Sequence, residues 1–140
     1  MCLSSKTNIP EIAKENIVCY KIIERFSSDE YVSPYQRDRI IFNKTIIASK
    51  PTKKFNMMPT VDVDLKTIIG YYIGEGFIHA FIIKENAKCS VLNHYYFLNF
   101  EGTTIVKCII PKGSRYFISI DNVEICSDRM MITDEIIYSY

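Results

Sequence analysis

Isoleucine is the most abundant residue of this sequence and limits the folds open to it. The 140 residues include 24 Ile, 10 Tyr and 8 Phe but no Trp. Side chains that branch at Cβ and aromatic side chains are enriched in strands, because they pack well on a pleated surface. The chain therefore favours a sheet over a helical bundle.

Charge and hydropathy indicate one compact domain. Seventeen Lys and Arg stand against 16 Asp and Glu, and 48% of the residues are hydrophobic, which is opposite to the composition of disordered chains. We predict an N-terminal arm with a short helix over residues 1–16 and a single α+β domain over residues 17–140. A net charge of +1 supplies no strong field for phosphate backbones, so nucleic acid is not an expected partner.

The remaining composition indicates a cytoplasmic protein without a membrane segment. No apolar run approaches the roughly 20 residues of a membrane-spanning helix, and the N-terminus lacks the pattern of a secretion signal. The five cysteines are odd in number and contain no C-x-x-C pair, which argues against disulfides and a zinc site. Cys19 and Cys108 lie in runs typical of buried strands, where a thiol acts as a small hydrophobe.

Apolar runs between turn residues predict a mainly antiparallel or mixed sheet of about eight strands, with two or three short helices. The clearest run covers 17–25, and the turn residues after it predict a hairpin with Tyr31-Val32. Helical signals predict a short helix within 8–16, a helical turn at 65–69 and a helix over 84–95, whereas 50–64 reads as an irregular excursion. The other predicted strands cover 40–42, 46–48, 77–83, 105–110, 115–120 and 123–125, and residues 130–133 with 135–138 form one or two more.

Three glycines within seven residues, Gly70, Gly74 and Gly76, form the strongest backbone signal. They match neither the dinucleotide fingerprint nor a phosphate loop. They indicate a tight turn or a close approach of the backbone to a neighbour. The run 77–83 that follows is apolar on both sides, with His79 on the side of Phe77 and Phe81, and this pattern predicts a central strand covered twice.

His79 is the main candidate for a ligand contact. An imidazole near Glu75 and flanked by phenylalanines can titrate near neutrality or bond a ligand, although a core histidine bonded to a backbone carbonyl is the alternative. Tyrosines, each with a rigid apolar body and a polar tip, can form a recognition surface or a structural rim. The predicted ligand-binding residues are Tyr20, Tyr71, Tyr72, Gly74, Glu75, Gly76 and His79.

Two weaker groupings carry no site prediction. Asp62 and Asp64 could hold a divalent cation, but nothing downstream completes a calcium loop, so a solvated loop is the alternative. The basic cluster at 50–54 beside Phe55 is too small for a nucleic-acid duplex. We predict no catalytic residue, no cofactor and no metal.

The segments 74–81 and 106–116, together with Ser33-Pro34-Tyr35, resemble small uncharacterised proteins of gut bacteria and their phages. This resemblance covers most of the chain after residue 17. It implies a phage-type accessory protein in the host cytoplasm or the virion, with no assigned activity to carry over.

The corner Ile109-Ile110-Pro111-Lys112-Gly113-Ser114 is similar to the Leu-Pro-Arg-Gly-Thr corner of the ADP-ribosyltransferase fold. In many members of that family the catalytic glutamate stands four residues before the proline, and here that position holds Lys107. The first strand has Cys19-Tyr20-Lys21 in place of the family's arginine or histidine motif. The resemblance therefore implies a scaffold without the usual NAD chemistry.

These observations favour a protein that acts by binding. The expected partner is a host protein, a second copy of the chain joined through a Tyr-rich strand edge, or a small nucleotide-like ligand. The alternatives are an enzyme that acts on NAD or nucleotides through His79, Glu124 or Glu135, and a structural component of the virion.

Overall fold

The computed structural model describes residues 3–34, 38–48, 57–62, 67–73, 76–93 and 102–140, and for 57–62, 67–69 and 72 it describes the backbone alone. These ranges contain one helix and twelve strands. In chain order they are β1 (Leu3–Ser5), β2 (Glu11–Ile12), β3 (Ile17–Arg25), β4 (Tyr31–Val32), β5 (Thr45–Ile47), β6 (Met57–Asp62), β7 (Thr67–Ile73), β8 (Ile78–Phe81), α1 (Lys84–Asn93), β9 (Thr103–Ile110), β10 (Arg115–Ile118), β11 (Glu124–Ser127) and β12 (Arg129–Ser139).

The strands form two antiparallel sheets. The large sheet has the order β2-β10-β11-β8-β3-β9-β12-β5, with β4 paired to β3, and the small sheet has the order β1-β7-β6. All strand pairs in the described ranges are antiparallel. The molecule is thus a single sheet-rich domain that is mainly β. The expected α+β class, with a dominant sheet and two or three short helices, is corrected to a mainly β fold with one helix in these ranges.

Residues 40–42 were expected to form a strand and form none. Three further local predictions are wrong because long-range pairing outweighs local signals. The segment expected to be a helix within 8–16 contains β2, which pairs with β10, and the Tyr116 hydroxyl donates a hydrogen bond to Glu11 at 2.7 Å. Residues 67–69 begin β7 instead of a helical turn, and residues 57–62 form β6 inside the expected excursion. Paired strands satisfy backbone donors and acceptors that a short isolated helix satisfies only weakly.

Other predictions are confirmed. The run 17–25 is strand β3 with the expected bounds, and it forms the expected hairpin with β4, in which the Phe26 N–H donates to the Glu30 carbonyl at 2.8 Å. β8 lies between β11 and β3, so it is the central strand that its apolar sides predicted. Helix α1 begins at the predicted residue, and residues 94–95 of the prediction lie outside the described ranges.

The large sheet buries a different cluster on each face. On one face, called here the core face, side chains of β3, β8, β9, β11 and β12 pack together with Ala13 and Ile40. On the other, called the helix face, Ala87 and Val91 of α1 pack against Ile22, Phe81 and Ile105. The small sheet packs on the helix face as well, where its buried members Leu3 and Ile73 contact Phe117 and Cys126.

The two described glycines of the cluster serve different purposes. A Cβ atom at Gly70 would lie 2.8 Å from the Ser5 carbonyl oxygen and 2.6 Å from Ile120 Cδ1, so only glycine lets these segments approach so closely. Gly76 has a φ of 102° in the turn before β8. Both meanings of the glycine pattern, a close approach and a turn, are therefore present.

Candidate binding surface

His79 lies on the helix face, between the part that α1 covers and the part that the small sheet covers. Its register partner on β11 is Cys126, which is covered by the small sheet, and Phe81 two residues along β8 is covered by α1. Opposed residues of an antiparallel pair point to the same face, as do residues two apart along a strand. His79 is half-buried and its Nδ1 atom is buried. The imidazole therefore lies between α1 and the small sheet.

Tyr20 shares this face with His79. It is the register partner of Phe81, is half-buried, and packs against the cluster under α1. His79 and Tyr20 thus lie on neighbouring strands with Phe81 beside both. Alternation within β8 predicted which way His79 points, but the proximity of Tyr20 depends on strand pairing that no local pattern shows.

The other predicted site residues lie elsewhere or outside the described ranges. Tyr71 is half-buried in the small sheet, opposite Ser5 of β1 and Pro59 of β6. Gly76 lies in the turn that leads into β8. The predicted contacts at Gly74, Glu75 and the Tyr72 side chain lie outside the described residues.

An exposed row of apolar side chains adjoins Tyr20 and was not predicted. Val18 on β3 lies opposite Ile109 on β9, which in turn lies opposite Met131 on β12. We call these three residues the apolar strip. Val18 is 45% exposed, while Ile109 and Met131 are half-buried. Alternation along β3 places Val18 and Tyr20 on one face, but a strip across three strands becomes visible only through the register.

The strip is bordered by an ion pair instead of a free cation. Lys107 lies opposite Tyr20 and therefore faces the same way. Its Nζ atom lies 3.3 Å from the Glu135 carboxylate. Both side chains are partly exposed, so this pair forms a polar margin and contributes little to stability.

The opposite side of the same strands carries a buried group of titratable residues. Cys19 and Cys108 are register partners and both are fully buried. Lys21, on the same side as Cys19, is half-buried and its Nζ atom donates a hydrogen bond to the His79 carbonyl at 2.8 Å. Loss of hydration lowers the pKa of Lys21, and the two thiols oppose that shift.

Two of the buried thiols are protonated at neutral pH. A hydrogen bond with the Cys108 side chain, together with burial, raises the pKa of Cys19 far above its ordinary value. Burial raises the pKa of Cys126 to about 12. Neither thiol is an activated nucleophile in the folded state, because the thiolate is the reactive form.

The described ranges contain no metal-binding cluster and no membrane-spanning helix. No three His, Cys, Asp or Glu side chains there are grouped to hold a metal ion. No helix in those ranges is long and apolar enough to cross a bilayer. Asp62 is in β6, while Asp64 and the basic cluster at 50–54 lie outside the described residues. Comparisons with protein-family models, curated proteins and solved structures gave no match.

Proposed function

We propose that this chain is a binding protein of the phage accessory type, and that it engages a protein partner through the apolar strip and Tyr20. The observation that carries this proposal is the alignment of Val18, Ile109 and Met131 across three neighbouring strands, on a face where α1 and the small sheet leave Val18 45% exposed. An apolar centre with an aromatic neighbour and a polar margin has the composition of a protein interface.

The shape of this surface favours a protein over a small nucleotide-like ligand. With strands spaced about 4.8 Å apart, the strip extends roughly 10 Å from β3 to β12 on the surface of a sheet. Small ligands are usually held in concave clefts that bury most of their surface. The neighbouring Lys107 is neutralised by Glu135, so it offers a phosphate group less attraction than an unpaired lysine would.

The test is a pull-down with the immobilised full chain from a lysate of a gut-bacterial host. Val18→Glu places a charge at the exposed end of the strip, and Phe26→Glu is the matched control, since Phe26 is 65% exposed in the β3–β4 turn. We expect a protein that wild type and Phe26→Glu retain and Val18→Glu loses, with at least a tenfold weaker affinity when the purified partner is titrated.

Equal retention by Val18→Glu and wild type would contradict the proposal. So would the absence of any captured protein combined with a strictly monomeric mass in light scattering. If the captured protein is the chain itself, light scattering of wild type and Val18→Glu distinguishes self-association through the strip from association elsewhere.

The enzyme alternative is favoured by one contact. Glu135 reaches Lys107, the position that corresponds to the catalytic glutamate of the ADP-ribosyltransferase-like corner, and so brings a carboxylate to that place. Incubation with NAD tests it. Nicotinamide release that is abolished in both Glu135→Gln and His79→Ala would establish an activity and overturn the binding proposal, whereas no release would leave the binding proposal in force.

A further inference from the structure

Two thiols face each other directly behind the apolar strip. Cys19 precedes Tyr20 and follows Val18, while Cys108 lies between Lys107 and Ile109, and the two cysteines are register partners on β3 and β9. Both side chains are fully buried on the core face, and both cysteines are reduced in this structure. The binding proposal makes no use of this pair.

The geometry of the pair suits a disulfide. Opposed residues of an antiparallel pair have Cα atoms about 4.5 or 5.5 Å apart, depending on their place in the ladder, and both values lie within the range of disulfides. Cys19 and Cys108 are register partners and both are buried, so their side chains point to the same face of the sheet beside each other. No large backbone movement is required to join them.

We propose that Cys19 and Cys108 form a redox-modification site, which a peroxide oxidises to a reversible disulfide across β3 and β9. One thiolate attacks the O–O bond of hydrogen peroxide, which yields a sulfenic acid and, with one proton, water. The second sulfur attacks that sulfenic sulfur, and the S–S bond forms as the hydroxyl leaves with a proton as a second water. The two thiols lose two hydrogen atoms, and one peroxide is reduced to two waters.

Lys21 favours the thiolate of Cys19, but burial and the Cys108 side chain outweigh this effect in the folded state. The Lys21 ammonium group, two residues from Cys19 on the same side of β3, acts electrostatically on Cys19 to favour the thiolate. Burial works in the opposite direction and keeps oxidants out. The pair should therefore react when the pairing around β3 and β9 opens locally, and more slowly than Cys89, which is exposed on α1.

Peptide mapping tests the site directly. The full chain is treated with hydrogen peroxide under native conditions, then denatured, alkylated and digested without reductant. We expect a linked peptide pair containing Cys19 and Cys108 in wild type, absent from Cys19→Ser and removed by dithiothreitol. Cys126→Ser is the matched control, because Cys126 is also buried but lies opposite His79, and it should retain the link.

A second measurement needs no variant. Closing the long loop between the two cysteines should lower the equilibrium constant for unfolding about 30-fold or more relative to reduced wild type, and dithiothreitol should reverse the change. Recovery of both cysteines as alkylated thiols while Cys89 is oxidised would overturn the proposal. A link from Cys19 to Cys2, Cys89 or Cys126 in place of Cys108 would overturn it as well.

Discussion

Lys21 is the residue whose chemistry differs most from its surroundings. It lies on the core face between Cys19 and Ile23, both fully buried, and its hydrogen bond to the His79 carbonyl ties β3 to β8. Loss of hydration lowers the pKa of its ammonium group below the ordinary value of 10.5. The folded protein therefore releases this proton at a lower pH than the unfolded chain does.

This shift makes the effect of Lys21→Met depend on pH. Between the lowered pKa and 10.5 the unfolded state binds more protons than the folded state, so the contribution of Lys21 to the free energy of unfolding rises with pH. Methionine keeps the apolar stem and removes the titration. The stability of the methionine variant relative to wild type should decrease as pH rises towards 10.5.

Urea unfolding of both proteins across a pH series measures this difference. Titrations common to the two proteins cancel in the comparison, so the remaining pH dependence belongs to Lys21. If the stability of the methionine variant relative to wild type stays constant or increases with pH, the ammonium group is not desolvated in the folded state.

At the scale of elements, the apolar pattern of α1 predicts the helix but not all of the residues that it buries. The spacing of Ala87, Val91, Leu92 and Tyr95 in the sequence predicts an amphipathic helix with these residues on its apolar face. Ala87 and Val91 are fully buried, whereas Leu92 is 66% exposed and Tyr95 lies outside the described residues. Residues 87 and 91 are four apart and share a face, whereas residue 92 lies about 100° further around the helix. Only Ala87 and Val91 therefore pack against β3, β8 and β9, while Leu92 stays exposed.

The two neighbours therefore form a matched pair of substitutions. Val91→Ala should cost about 2 kcal/mol of stability, because it removes buried methyl groups next to Ile105 and Phe81. Leu92→Ala should change the free energy of unfolding by no more than about 0.5 kcal/mol. Urea denaturation of the two variants provides the measurement, and similar losses would mean that α1 docks through a different face.

Strand β3 was predictable because its signals are local. Nine residues of a β-favouring run are followed at once by turn residues, and the structure has the same bounds. β2 was not predictable, since Asn8 and Pro10 resemble a helix start while the pairing partner of β2 is β10, far along the chain. The candidate site divides in the same way: the side on which His79 lies follows from alternation, whereas its proximity to Tyr20 and the strip follows from register.

At the scale of the whole molecule, three residues near the N-terminus join the two sheets. β1 pairs with β7, Ser5 forms a bridge to Ser119, and the Ile120 N–H donates to the Ser4 carbonyl at 2.8 Å. Leu3 is 1% exposed and packs against Phe117 beneath it. This segment was expected to belong to an arm outside the domain, yet it contributes to the packing between the sheets.

Leu3→Ala should consequently weaken the whole molecule. The expected loss is about 2–4 kcal/mol, because a cavity would form between the sheets. Circular dichroism and tyrosine fluorescence should report one common unfolding transition, as in wild type. Ile9→Ala, at a position that is 71% exposed, should have almost no effect. Two separate transitions in the Leu3 variant would show that the small sheet unfolds by itself.

Because side chains alternate along β3 and β9, Val18 and Tyr20 lie on the opposite face of the sheet from Cys19, and Ile109 lies on the opposite face from Cys108. A covalent bond that draws the two strands together on one side must change their spacing and twist on the other. The affinity of a partner bound to Val18 and Ile109 would then depend on whether the two sulfur atoms are oxidised, although the partner does not contact them. Binding to this surface would therefore differ between protein that has been exposed to an oxidant and protein that has stayed reduced.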